Sequence, residues 1–149
     1  MSSEPDKKTN FNSSRFSVHT VHDFFDMLKD SIDEFKSDDL NIRKALTACI
    51  FANHIHDWAV HDRKCSYTAN TSKGDYETTH NILNDIANGT KHPQKTKGVK
   101  TGQHNGAFSS AYSREFDISY LYVIDNSNNE IRLEDILDKS TIYWNEMIN

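Results

Sequence analysis

The sequence predicts a mainly α domain of the α+β class, in which three antiparallel helices, a β-hairpin and a C-terminal helix share one core. Three observations lead there. Apolar residues recur every three or four positions in three stretches before residue 90, alternate singly between 116 and 124, and resume helical spacing from 133 onward. The chain of 149 residues is long enough to bury such a core in one domain without staples.

Residues 1–14 (MSSEPDKKTNFNSS) are polar, carry Pro5 and offer only Phe11 for burial, which is the composition of a disordered tail. A first helix is expected over about 17–35, where Val18, Val21, Phe25, Leu28, Ile32 and Phe35 form a stripe and Ser17 stands at the capping position. Ser37, Asp38 and Asp39 break the pattern, and a second helix follows over about 39–63. Its large apolar residues, Leu40, Leu46, Ile50, Phe51 and Trp58, define an arc that would carry His54 at its centre, His61 close by and Asp57 on its flank.

A third helix is expected over about 76–88, with Ile82, Leu83 and Ile86 at helical spacing and Gly89 as its left-handed stop. The stretch from Lys91 to Gly106 reads as an irregular loop with three glycines. It is locally basic, because no acidic residue lies between Asp85 and Glu115 whereas Lys91, Lys95, Lys97, Lys100 and Arg114 do. Phe116, Ile118, Tyr120, Tyr122 and Ile124 then alternate as the packed face of a strand, DNSNN (125–129) supplies turn chemistry, and a short partner strand completes a hairpin over about 113–133. The last helix, about 134–148, is marked by Leu133, Ile136, Leu137, Ile142, Trp144, Met147 and Ile148, with Glu134 and Asp135 in its first turn where the helix dipole favours acids.

A formal net charge of −5 with 26% charged residues describes a mildly acidic protein, so bulk electrostatics do not point to nucleic acid or an anionic membrane. No apolar run has the length of a membrane helix and no leader resembles a secretion signal, so the expected location is the cytoplasm and no membrane association is expected. Cys49 and Cys65, the only cysteines, read as reduced thiols.

Two polar constellations could carry chemistry. His54, Asp57, Trp58 and His61 lie at i, i+3, i+4 and i+7, a spacing that suits a polar pair satisfied inside a bundle, a carboxylate that orients an imidazole, or a metal site through His54, Asp57 and His61. The fixed spacing of a strong zinc motif is missing, and neither a metal nor any other cofactor is expected. Asp85, Asn88, Lys91 and His92 form the second set. His92 is placed to act as acid or base, Lys91 to hold a phosphate, and Asn88 with Asp85 to orient them; equally, Asn88 and Gly89 would end the helix while Lys91 and His92 complement its dipole. Adjacent antiparallel helices would bring the sets together, with His54, Asp57 and Asp85 in support and Lys95, Lys97 and Lys100 as nucleic-acid contacts.

HIHDW (54–58), DIANGTKH (85–92), the aromatic hairpin and the closing helix with Tyr143 and Trp144 together resemble a group of small bacterial and phage-type proteins of no established activity. More distantly, ANGTKH (87–92) resembles the Arg-Asn-x-x-x-His motif of HEPN domains, helical bundles that often dimerise and act as metal-independent ribonucleases in defence and toxin systems. Asn88 and His92 match that motif, and Ala87 stands where the family has its active-centre arginine. The resemblance therefore implies a HEPN-like bundle, an RNA or protein partner, a homodimer, and a phage, mobile-element or defence setting. It implies ribonuclease activity that is weak or absent, so the expected function is a non-catalytic binding module, with a His92-dependent ribonuclease as the alternative.

Overall fold

In the computed structural model, residues 16–93, 98–107 and 118–149 are described. The tail (1–14), Lys95, Lys97, Arg114 and Phe116 lie outside them. Among the described residues the protein is mainly helical. Four α-helices, α1 (Val21–Ser37), α2 (Ile42–His61), α3 (Glu77–Lys91) and α4 (Leu133–Ile148), accompany an antiparallel sheet of β1 (Lys100–His104), β2 (Tyr120–Ile124) and β3 (Glu130–Arg132). The sheet order is β1-β2-β3.

The stripe expected for the first helix is buried along α1, at Val21, Phe25, Leu28, Ile32 and Phe35. Its start differs from expectation: Thr20, not Ser17, is the cap. The Thr20 hydroxyl accepts from the Asp23 N–H at 3.1 Å while the Asp23 carboxylate accepts from the Thr20 and His19 N–H groups, a reciprocal box that Ser17, in the left-handed region at φ 67°, does not form. Asp62 at the end of α2 also accepts the Val21 N–H at 3.0 Å, which ties the start of α1 to the end of α2. Thr20→Ala is expected to cost about 1 kcal/mol in urea unfolding; an unchanged midpoint would show that Asp62 alone suffices to cap α1.

The second helix starts at Ile42, with Asn41 accepting from the Lys44 N–H in place of a cap among residues 37–39. It buries a face that the large side chains do not mark. Ala45, Ala48, Cys49, Ala52, Ile55 and Ala59 are buried, whereas Leu40 is exposed and Leu46, Ile50, Phe51 and Trp58 are only half-buried. Small residues let neighbouring helices approach closely, and the larger ones serve as a rim: the Phe24 ring of α1 stacks on Trp58 at 5.0 Å and tilts against Phe51 at 5.5 Å.

The third helix is preceded by a short 3-10 turn, Gly74–Tyr76, and buries Ile82, Leu83, Ile86 and Ala87. The closing helix α4 carries acids in its first turn as expected and buries Leu133, Ile136, Leu137, Tyr143, Trp144 and Ile148. Ile142, expected in that stripe, is exposed, and Tyr143 takes the inward position.

The expected hairpin is the β2–β3 half of the three-stranded sheet, and β1 arises inside the stretch read as irregular loop. KTGQH (100–104) has no apolar alternation, so pairing with β2 rather than its own pattern makes it a strand. The inward face of β2 is also shifted by one residue, with Leu121 and Val123 buried and Tyr120, Tyr122 and Ile124 half-buried on the other side. Both phases of YLYVI are apolar, so the pattern left the face undecided, and the smaller aliphatic pair went to the core. The turn is as expected: the Asp125 carboxylate accepts from the Ser127 and Asn129 N–H groups at 2.9 Å, bonds that hold its carboxyl below the usual range, with Asn128 at φ 65°.

Candidate nucleic-acid interface

The end of α3 was expected at Gly89, but the helix continues through it to Lys91. Gly89 has no positive φ, and the stop comes from Pro93. A residue two before that proline can still be helical, whereas the residue immediately before it is driven out of the α region. His92 accordingly has φ −125° and ψ 82°, and its N–H donates to the Asn88 carbonyl at 3.0 Å. Lys91 and His92 are exposed at this end, Asn88 and Asp85 are half-buried, and Ala87 is fully packed in the core. The position at which the resembled motif has arginine thus points into the apolar interior. Asp85 lies under the chain that returns to β1: Gly98, at φ 108°, approaches so closely that an added Cβ would stand 3.0 Å from the Asp85 carboxylate.

The set expected to face Asp85 and Asn88 from the second helix does not point inward. At about 100° per residue, His54 falls ~180° from Ala45 and therefore opposite the buried face. His54 is half-buried and Asp57 and His61 are exposed. Asp57 and His61 line a shallow depression with His19, Trp58 and Asp62, while Asp85 lines another with Asn81, Val99 and the Asp125 turn, so the two carboxylates open onto different surfaces. Among the described residues, no group of three or more His, Cys, Asp or Glu side chains is close enough to hold a metal ion, which removes the His54, Asp57 and His61 reading.

The inward histidine is His56, ~20° from Ala45 by the same spacing of about 100° per residue. Its ring lies 5.1 Å from that of His80 and meets Tyr67 and Trp144 edge-on. Nδ1 is 3.6 Å from the Asp57 carboxylate, and the buried Nε2 makes no hydrogen bond to a described residue. Around this pair Tyr76 stacks on Tyr143 at 4.0 Å, Tyr76 donates to the Ser140 hydroxyl at 3.0 Å, and the Tyr67 and Tyr143 hydroxyls are 3.1 Å apart. Burial pushes the Tyr76 phenol up to about 12 and the Cys49 thiol likewise to about 12, so neither supplies a nucleophile near neutral pH. The run of small residues at 45, 48, 49, 52 and 59 carried the signal for His56.

Sequence reasoning also missed the outer face of the sheet. Register places Lys100, Gly102 and His104 of β1 beside Ile124, Tyr122 and Tyr120 of β2, with Arg132 opposite Tyr122 and Glu130 opposite Ile124. All share one side of the pleat. The Arg132 guanidinium sits 4.0 Å from the Tyr120 ring centre, His104 stacks on that ring at 4.8 Å, and the Tyr120 hydroxyl donates to Glu130 at 3.0 Å. Tyr122 lies over Gly102, where an added Cβ would run into its ring. This column of flat, partly cationic groups is flanked by exposed Lys100.

The chain matches no family model, no curated protein and no solved structure. Its chemistry must carry the reading. No helix of the described residues is long and apolar enough to cross a membrane.

Proposed function

We propose that the protein is a non-catalytic, HEPN-like module that binds single-stranded RNA through the outer face of its sheet, in a phage, mobile-element or defence setting. The observation that supports this most is the Arg132, Tyr120 and His104 column beside Tyr122 and Lys100. Proteins hold single strands by stacking bases on aromatic rings and guanidinium planes while lysines and arginines follow the phosphates. Here a base would extend the column from its ends, and Lys91, His92 and Lys100 would meet the backbone.

Against cleavage stands Ala87, which is packed in the core at the position where the resembled motif has its arginine.

Fluorescence anisotropy with a labelled single-stranded RNA tests the reading. Arg132→Ala is expected to weaken binding by about 1 to 3 kcal/mol, the range for losing one stacked contact. Lys100→Ala should instead lower the salt dependence of log K by about 0.7, as for one lost phosphate contact. RNA binding that neither variant changes would remove the sheet face from the account, and metal-free cleavage lost in His92→Ala would replace the binding module by a ribonuclease.

A further inference from the structure

Between α2 and the inner face of the sheet lies a partly enclosed pocket of about 210 Å³. Ala45, Cys49, Ile86, Leu121 and Val123 form its floor, and it opens past Leu46 and Ile42, the latter 56% exposed. The pocket follows from the small-residue face of α2, where Ala45 fills little of the space opposite Leu121 and Val123. A void lined by aliphatic side chains forfeits contacts on every wall, and an apolar guest restores them.

We propose that this pocket is a binding site for a small, uncharged aromatic molecule. Size sets the upper limit, since an apolar cavity of about 150 Å³ already holds benzene, and the larger volume here suits a bicyclic ring. Charge is excluded by the lining, in which none of the described residues is Asp, Glu, Lys, Arg or His. Burying an ionised group there would leave it without a partner. Thr101 and Gln103, which also line the pocket, offer the polar contact that such sites use to orient a ring N–H or hydroxyl. The site lies between the sheet and α2 and includes Gly102 and Tyr122 of the outer-face strands in its lining, but it does not rest on the RNA-binding reading.

Indole is the probe. Titrated into methyl-labelled protein, it is expected to give saturable NMR shifts confined to Ile42, Leu46, Ile86, Leu121, Val123 and Leu133, and to raise the thermal midpoint. Indole-3-acetate, of similar shape but charged, should bind at least about ten-fold more weakly. Ala45→Leu, which fills the floor, should abolish the shifts without lowering the midpoint. Ile42→Lys, at an exposed position and therefore compatible with folding, should weaken indole by placing a charge at the mouth, and decides the matter if Ala45→Leu does not fold. Shifts that never saturate, that survive Ile42→Lys unchanged, or that indole-3-acetate reproduces at equal concentration would overturn the site.

Discussion

Trp144→Ala is expected to cost about 3 to 5 kcal/mol, the range for truncating a large buried aromatic, and to leave much of the protein unfolded at 37 °C. Trp144 is fully buried, and its ring contacts Tyr67 at 4.9 Å, Tyr143 at 4.9 Å, Tyr76 at 6.3 Å and His56 at 6.2 Å, so its loss removes the centre on which α4, the 3-10 turn and α2 meet. The cavity would border Ser140 and the tyrosine hydroxyls, whose hydrogen bonds depend on fixed ring positions. Trp58→Ala is expected to cost distinctly less, because Trp58 is half-buried and stacks mainly on Phe24. Urea unfolding of the two variants side by side checks the ranking. Equal losses would mean that Trp58 closes the core as fully as Trp144.

Acidification is expected to lower stability in a window that begins near neutrality. His80 is half-buried against His56, and its imidazole is held below its ordinary value by burial first, then by the charges of His56 and Lys73, with Glu77 and Asp57 opposing. The folded state therefore binds fewer protons than the unfolded chain, and stability rises with pH where the two differ. It is complete above the ordinary value of 6.5 and is lost as pH falls from there through the lower folded value. Asp23, Asp62 and Asp125, each lowered by backbone hydrogen bonds, contribute stability that is present above 3.8 and lost only as pH falls below it. Urea midpoints between about pH 7.5 and pH 5 separate these ranges. His80→Asn should flatten the upper step, and a step that persists in that variant would assign it to another group.

How much of this was legible in the sequence varies with the kind of signal. The existence of all four helices and of the β2–β3 hairpin followed from periodicity, because α1, α3 and α4 each pair a strong apolar stripe with a polar back. Orientation was harder. In α2 most of the large side chains lie off the buried face, and weighing residues by bulk turned the helix so that His54 and Asp57 seemed inward while His56 went unremarked. In β2 both phases are apolar, and only packing decides between Leu121 with Val123 and the two tyrosines. The strand β1 and the outer-face column depend on partners distant in sequence, so no local pattern announces them. Gly89 offered a stop, but a glycine in a helix costs only about 1 kcal/mol, and Pro93 imposed the harder limit.

The small-residue face of α2 predicts an unusual map of tolerance to change. In a saturation-mutagenesis scan read out by soluble expression, the buried alanines of this helix should be less tolerant than several of its larger residues. Ala48, Ala52 and Ala59, which are fully packed, should accept almost nothing larger, since a single added methylene must displace a neighbouring helix. Ile42, Leu46 and Ile50 should accept many replacements, polar ones among them, because water already reaches them. Drift within this helix should thus be concentrated at Ile42, Leu46 and Ile50, and its buried alanines should be the residues that stay put.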